Sequence, residues 1–124
     1  MQIALERIEQ QLNSIRSYSS GSVEVSNKVY HESIIIMPKG SIQPWQPQTY
    51  QQLTASHFEI IAEFKPQIVL LGTGNKLILP SRELRLAWQK MSLVVEYMDT
   101  AAACRTYNLL ITEDRHVIAA LLLS

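Results

Sequence analysis

The spacing of apolar residues near the start of the chain predicts a helix. Over residues 1–16 these residues recur at steps of three and four, which places one amphipathic stripe on an N-terminal helix. The stripe consists of Leu5, Ile8, Leu12 and Ile15. Such a helix either docks on its own core, the simpler interpretation, or contacts a second copy of the chain. The remaining residues, 17–124, contain no linker and are predicted to form one domain.

Strand-like patterns follow a polar, serine-rich stretch at residues 17–22, which is predicted to be a loop. Residues 23–25 and 28–37 are predicted to pair as a hairpin that turns at Ser26 and Asn27. The isoleucines at residues 34–36 are consecutive, so that end of the second strand should be covered on both faces.

A loop rich in glutamine and proline is predicted over residues 41–52, around Trp45. The indole could be an exposed recognition anchor. The favoured interpretation is that it folds back as a lid over the core.

The second half of the chain alternates helical and strand-like patterns. Residues 53–64 are predicted to be a helix with a Ser56–Glu59 capping box, with Thr54 as a competing cap. Its expected buried stripe is Leu53, Ile60, Ile61 and Phe64. A second helix should begin at the cap Ser81, with Leu84, Ala87, Trp88 and Met91 facing inward.

Three short apolar runs complete this alternation, at residues 67–71, 93–98 and 116–123. An alanine-rich helix lies between the last two runs and is followed by a turn at residues 113–115. Strands that alternate with helices of this length indicate crossover connections and a largely parallel sheet. The final run is apolar enough to be a central or well-covered strand.

The charge balance, the cysteine count and the lengths of the apolar runs limit which partners and which cellular compartment are expected. The 11 basic and 11 acidic residues balance, so no general positive field favours nucleic acid. A single cysteine excludes an internal disulfide and a multi-cysteine metal site. No apolar run is long enough to span a membrane, and the N-terminus resembles neither a signal nor a transit peptide. A cytoplasmic location is expected.

Gly72, Thr73 and Gly74 follow a predicted strand and could cradle a phosphate with backbone N–H groups. The spacing matches no complete phosphate-binding fingerprint, so a glycine turn that requires positive φ is the favoured interpretation. Asp99 and Thr100 begin the alanine-rich helix, where either oxygen could cap the first turn. The same helix start could hold an anion, although the carboxylate of Asp99 opposes that.

Thr100, Cys104 and Asn108 are spaced by four and therefore share one face of this helix, with Arg105 beside them. A cysteine next to an arginine could be an activated nucleophile, but His31, His57 and His116 lie in no recognisable catalytic motif. Packing of Cys104 among alanines is the favoured interpretation. Arg105 and Asn108, if they point inward, are expected to bind loop carbonyls near Gly72 or Met37. No metal-ligand spacing is present, and no cofactor is predicted.

Four segments together resemble the Mth938-like domain family, long described as a domain of unknown function. They are Leu-Gly-Thr-Gly at residues 71–74, Glu-Tyr-Met-Asp-Thr at 96–100, Ala-Ala-Cys-Arg-Thr-Tyr-Asn at 102–108 and Arg-His-Val-Ile-Ala-Ala-Leu-Leu at 115–122. The resemblance implies a three-layer α/β domain with a mixed central sheet and no established enzymatic activity. A mitochondrial member of the family helps assemble respiratory complex I. Ala101 stands where members often have glycine, a change that favours the helix.

Three functions therefore remain open. The first is a non-catalytic interaction or assembly module with an unidentified protein partner. The second is a small-molecule or anion binder, in which the loop at residues 72–75 meets the helix start at Asp99 and Thr100. The third is a Cys104-dependent enzyme. Neither a nucleic-acid partner nor a membrane span is expected, and a homodimer through the N-terminal stripe and the Trp45 loop is possible.

Overall fold

The fold is built on a five-stranded mixed sheet with an apolar cluster on each face. A computed structural model describes residues 12–124. In the described part of the chain the strands are β1 (Ile15–Ser19), β2 (Ser22–Val25), β3 (Lys28–Tyr30), β4 (Ile34–Ile36), β5 (Gln43–Pro44), β6 (Ile68–Gly72), β7 (Val95–Met98) and β8 (Val117–Leu121). The helices are α1 (Glu59–Glu63), α2 (Arg82–Lys90) and α3 (Thr100–Ile111), and 3₁₀ turns form at Tyr50–Gln52 and Ala55–Phe58.

The last strand of the chain lies at the centre of this sheet. The strand order is β5-β4-β8-β6-β7, in which β8 pairs antiparallel with β4 and parallel with β6. All five residues of β8 are buried, which is the pattern of a strand covered on both faces. The mixed sheet that the family resemblance implies and the well-covered final strand are therefore confirmed. The largely parallel sheet expected from the alternation of elements is wrong, because β4 pairs antiparallel with both β5 and β8.

Two layers cover the sheet, one on each face. Helix α3 and a small antiparallel sheet of β1, β2 and β3 share one apolar cluster with Ile34, Leu70 and Ala119. The opposite cluster joins Ile35 and Val69 to α1, α2 and the Trp45 loop. Neighbouring strand residues fall in different clusters because successive side chains point to opposite faces. This is the three-layer α/β arrangement expected from the sequence.

Strand β1 occupies residues that the sequence assigns to a helix end and a loop. Ile15 begins β1 and pairs with Val25, so the predicted helix cannot extend through residue 16. Residues 12–14 are not helical either, and the part of the prediction over residues 1–11 lies outside the described residues. The predicted loop at residues 17–22 shrinks to a turn at Ser20 and Gly21, where Gly21 has a φ of 86°. Pairing with β2 overrides the weak strand preference of serine here.

The predicted strand over residues 28–37 is two strands in two different sheets. β2 and β3 form the expected hairpin, and its turn includes Ser26. The chain then crosses to the large sheet, where Ser33 donates its backbone N–H to Gln48 Oε1 at 3.1 Å. The Ser33 carbonyl accepts the backbone N–H of Trp45 at 2.9 Å. These contacts satisfy the backbone where no strand partner is available.

Trp45 is buried in the apolar cluster that contains Ile35 and Val69 and covers one side of it. Its Nε1 donates to the carbonyl of His57 at 3.1 Å, and its ring meets Phe58 edge-on at a centroid distance of 5.6 Å. Phe58 in turn meets Trp88 at 5.2 Å. The lid interpretation is confirmed, and the exposed recognition anchor is wrong.

The helix predicted at residues 53–64 begins later and buries a different stripe. Thr54, the competing cap, forms the capping box with His57, and α1 starts only at Glu59. The intervening 3₁₀ turn changes the rotation per residue, which shifts the inward face. Phe58 and Ile61 are fully buried, whereas Leu53 and Phe64 are half-buried and Ile60 is exposed.

Helix α2 follows the prediction more closely. Ser81 accepts the backbone N–H of Leu84 at 3.1 Å, as expected of its cap. Leu84 and Trp88 are buried, and Ala87 and Met91 are half-buried. Within residues 12–124 there is no helix with the length and apolar character that crossing a membrane requires.

We expect adjacent isoleucines of α1 to respond very differently to truncation. Ile61 is 0% exposed and Ile60 is 39% exposed. Ile61→Ala should lower the free energy of unfolding by about 2–5 kcal/mol, because it removes buried methyl groups and leaves a cavity. Ile60→Ala should cost less than about 1 kcal/mol. Urea unfolding followed by tryptophan fluorescence measures both, and equal losses would contradict this assignment of the inward face.

Candidate functional site

The start of α3 meets the loop that follows β6, as the sequence predicts. Asp99 is the N-cap, and its Oδ1 accepts the backbone N–H of Ala102 at 2.8 Å. The backbone N–H of Thr100 donates to the Gly74 carbonyl at 2.9 Å. The capping role of Asp99 is therefore confirmed, and its carboxylate already occupies the positive end of the helix.

The hydroxyl of Thr100 joins this loop to the end of the sheet. It donates to the carbonyl of Leu122 at 2.5 Å and accepts the backbone N–H of Gly74 at 2.9 Å. Thr100 is completely buried. The loop and the helix start thus bind one another, and the Gly74 N–H, which in the alternative interpretation could cradle an anion, already has a partner.

Gly72 and Gly74 are each required by the structure, but for different physical reasons. A Cβ on Gly72 would lie 2.7 Å from Thr100 Oγ1 and 3.0 Å from Thr100 Cα, so the helix could not approach the strand. Gly74 has a φ of 107°, and a Cβ there would collide with the carbonyl of Ser124. The expected turn with positive φ is confirmed for Gly74, while Gly72 allows close packing.

Thr73 organises the continuation of the same loop. Its hydroxyl donates to the Lys76 carbonyl at 2.6 Å and accepts the backbone N–H of Ile78 at 3.2 Å. Its backbone N–H donates to the carbonyl of Met98 at 2.9 Å. Both hydrogen-bonding functions of the buried hydroxyl are therefore used within the protein.

Asn108, near the other end of α3, binds strand β1. Its Nδ2 donates to the Ile15 carbonyl at 2.7 Å, and its Oδ1 accepts the Ile15 N–H at 2.9 Å. The expected target near Gly72 or Met37 is wrong. The carbonyl of Met37 instead accepts Asn13 Nδ2 at 3.0 Å.

Sequence reasoning missed Asn13 and Tyr107 as members of this set. The phenol of Tyr107 donates to the carbonyl of Asn13 at 2.7 Å, and burial raises the pKa of that phenol. The two residues are 94 positions apart, so no local pattern links them. The tyrosine directly before Asn108, on a helix predicted to pack closely on the sheet, is the one sequence signal that could have suggested a polar partner.

Cys104 is buried, with only 4% of its surface exposed. Burial raises the pKa of its thiol to about 12, although the nearby Arg105 opposes this shift. A thiol with such a pKa is almost entirely protonated at neutral pH, and the thiolate is the nucleophile. Arg105 itself is exposed, so the condition under which it was expected to bind a loop carbonyl, that it points inward, is not met.

The histidines do not complete a catalytic arrangement with Cys104. His57 Nδ1 accepts the backbone N–H of Thr54 at 3.0 Å, and His116 Nε2 lies 2.8 Å from the Phe64 carbonyl. His31 is exposed at the end of the small sheet. Among residues 12–124, no group of three histidine, cysteine, aspartate or glutamate side chains is placed to hold a metal ion.

A cavity of about 210 Å³ lies between β1 and α3, and we call it the β1–α3 cavity. Of the candidate residues from the sequence, Cys104, Arg105 and Asn108 line it, whereas those of the glycine loop and the helix start do not. Its other lining residues are Ile15, Arg16, Ser17, Tyr18 and Ala101. The predicted site therefore divides into a buried junction around Thr100 and an open cavity around Arg105.

These features define the class as a small three-layer α/β domain whose polar helix residues bind neighbouring segments. A profile of the family described as "Protein of unknown function (DUF498/DUF598)" matches residues 15–122. The chain belongs to this family, which is the Mth938-like domain family that its sequence resembles.

Solved structures from two bacteria have the same fold. A Bordetella parapertussis protein is 36% identical with a TM-score of 0.85, and the match covers 91% of this chain and 97% of that one. A Bordetella pertussis protein described as an Mth938-like domain is 30% identical with a TM-score of 0.79, over 91% and 87% of the two chains.

Two curated relatives carry functional names. The "13 kDa major membrane protein" of Francisella tularensis is 40% identical over 67 residues, which is 54% of each chain. The mouse "NADH dehydrogenase [ubiquinone] 1 alpha subcomplex assembly factor 3" is 31% identical over 110 residues, or 87% of this chain and 59% of the relative. The match thus spans less than two thirds of either relative's length.

We expect removal of the Thr100 hydroxyl to be costly although the replacement has the same shape. Thr100→Val leaves the Gly74 N–H and the Leu122 carbonyl buried without this partner, so it should lower the free energy of unfolding by about 2–5 kcal/mol. Thr112→Val is the matched control, because that exposed hydroxyl binds only the Leu109 carbonyl within its own turn. Chemical denaturation of both variants measures the difference, and similar small losses would contradict the role of the Thr100 hydroxyl.

We expect Cys104 to be unreactive in the folded protein. At pH 8, iodoacetamide should alkylate it at least about 100-fold more slowly than free cysteine, because burial and a pKa of about 12 suppress the thiolate. Mass spectrometry follows the single adduct, and denaturant should restore rapid labelling. Fast labelling of the native protein would support the nucleophile interpretation instead.

Proposed function

We propose that this protein is a non-catalytic interaction module that supports the assembly of other proteins in the cytoplasm. The observation that carries the proposal is the use of its polar helix residues. Thr100, Asn108 and Asp99 are all hydrogen-bonded within the protein, and Cys104 is buried and protonated. Groups with these partners hold the fold together and are poorly available for turnover.

The relatives support this direction. The mouse relative is named an assembly factor, and the Francisella relative is named a membrane protein. The name of the mouse relative is compatible with a module that works by association. The cytoplasmic location is part of the proposal, and the free, buried Cys104 is compatible with it.

An exposed apolar loop offers a surface for such association. Leu77 and Leu79 are 54% and 69% exposed, and Ile78 between them is half-buried. The segment is held in place from behind, because Ile78 donates its N–H to Thr73 and the Leu79 carbonyl lies 3.4 Å from the Tyr50 hydroxyl. The two leucines are therefore presented to solvent by an ordered backbone.

A cleft beside this loop could receive an apolar side chain of a partner. It has a volume of about 420 Å³ and includes Tyr50, Leu53, Ala55 and Leu84 among its lining residues. An exposed apolar residue next to a partly apolar cleft is the arrangement from which binding hot spots are built. The proposed partner is a protein segment with an apolar anchor, and a second copy of this chain is the alternative occupant.

We expect a photo-crosslinker placed at this surface to capture a defined partner. p-Benzoylphenylalanine in place of Leu79 should give a discrete crosslinked product in the native host, identified by mass spectrometry. The same group in place of Leu109, which is 62% exposed on α3, serves as the matched control and should give little product. Leu77→Ser combined with a crosslinker at residue 79 should reduce the yield by roughly 10-fold, as expected for a residue in a binding hot spot.

The identity of the product separates the possible outcomes. A heterologous protein supports the assembly role, and a product of twice the chain mass indicates a homodimer through this surface. Equal yields at residues 79 and 109, or product insensitive to Leu77→Ser, would argue against the Leu77–Leu79 surface.

A further inference from the structure

We propose that the β1–α3 cavity binds a small oxyanion, a carboxylate or phosphate group, between the guanidinium groups of Arg16 and Arg105. This site is separate from the Leu77–Leu79 surface and does not depend on the assembly role. It is also separate from the helix start, where Asp99 and Thr100 are already bonded.

The charged residues that line the cavity are all positive. Arg16 and Arg105 both line it, and its described lining residues include no carboxylate. Both guanidinium groups can therefore contribute positive charge to a ligand in this cavity. The planar fork of arginine also matches the geometry of carboxylate and phosphate oxygens.

The floor of the cavity does not oppose an anion. Cys104 supplies a thiol that stays protonated because burial raises its pKa to about 12. Two carboxylates keep their negative charge near the cavity: Asp99, which accepts the Ala102 N–H, and Glu24, whose Oε1 lies 3.4 Å from the Ser17 hydroxyl. Neither of them is among the lining residues, whereas both arginines are. The Tyr18 phenol donates to Asn75 Oδ1 at 3.1 Å, which fixes the side wall.

The two arginines are carried by elements that are fastened together. Asn108 makes two hydrogen bonds to the backbone of Ile15, the residue before Arg16. Arg105 precedes Asn108 by three positions on the same helix, about one turn away. The separation of the two arginine backbones is therefore fixed before any ligand arrives, which lowers the entropy cost of binding.

The size of the cavity limits the ligand. Its volume of about 210 Å³ is below the ~300–1,000 Å³ typical of pockets for drug-sized molecules. A phosphate, or a carboxylate with a short carbon chain, fits this space, whereas most of a nucleotide would remain outside.

The experiment is a titration of the ¹⁵N-labelled protein with inorganic phosphate and, separately, with malonate at matched ionic strength. We expect saturable amide shifts at residues lining the cavity, among them Arg16, Ala101 and Arg105. Sodium chloride at the same ionic strength should not reproduce them. The relative affinities of the two probes decide between a phosphate-type and a carboxylate-type ligand.

Three exposed arginines provide the variants and the control. Arg16→Gln and Arg105→Gln should each weaken binding about 10-fold or more, because each removes a charge-assisted contact. Arg85→Gln, exposed on α2, should leave the affinity unchanged. Unperturbed spectra of the free variants will show that all three fold normally. Absence of saturable shifts, or equal weakening by Arg85→Gln, would overturn the proposal.

Discussion

The two hydrogen bonds of the Thr100 hydroxyl are the contacts on which the rest of this structure depends. The hydroxyl bonds the Gly74 N–H and the Leu122 carbonyl, while the backbone N–H of Leu122 donates to the Gly72 carbonyl at 3.0 Å. The loop after β6, the chain after β8 and the start of α3 are thereby joined inside the protein. Such a junction requires a small buried hydroxyl on the helix and a strand end without a side chain, and Thr100 and Gly72 meet these requirements.

The remaining polar residues of α3 extend the same principle along the helix. Thr100 fixes its beginning to the large sheet, and Asn108 fixes its other end to β1. Between them, Ala103 and Cys104 are small and buried, so the helix can lie close to the sheet. A row of threonine, cysteine and asparagine at four-residue steps resembles a catalytic face in sequence. In the structure its polar members each satisfy buried or half-buried backbone groups, which is the usual requirement of polar residues in a core.

Local patterns predicted the elements whose environment is uniform. Strand β8 and helix α2 were predicted correctly because neighbouring residues carry the signal. The apolar run of β8 indicates burial on both faces, and Ser81 followed by an amphipathic pattern indicates the capped helix α2. Strand β1 was missed because serine-rich residues become a strand only through pairing with β2. The inward face of α1 was misplaced because a 3₁₀ turn precedes it, and the hydrophobic period alone does not reveal the change in rotation.

The residues of the candidate site fall into two separate places, and the sequence did not show this because some of their contacts are distant along the chain. The capping role of Asp99 is local and could be predicted, whereas Asn108 binds a residue 93 positions away. The partner of a long side chain depends on which segments the topology brings together, so Arg105 could not be assigned to the surface or the interior from spacing alone. Once the fold is known, the same residues separate into those that hold the loop and those that line a cavity.

Hydrogen bonds inside the protein hold the backbone beneath two of its exposed surfaces. Thr73 and Thr100 order the loop whose continuation presents Leu77 and Leu79, and Asn108 sets the spacing of the cavity that Arg16 and Arg105 line. Both surfaces are held by contacts within the protein, so the proposed binding at either one would cost little ordering entropy. A domain built in this way is suited to recognising a preformed shape. In the proposed roles, the hydroxyls of Thr73 and Thr100 and the amide of Asn108 would act indirectly, by holding these surfaces in place.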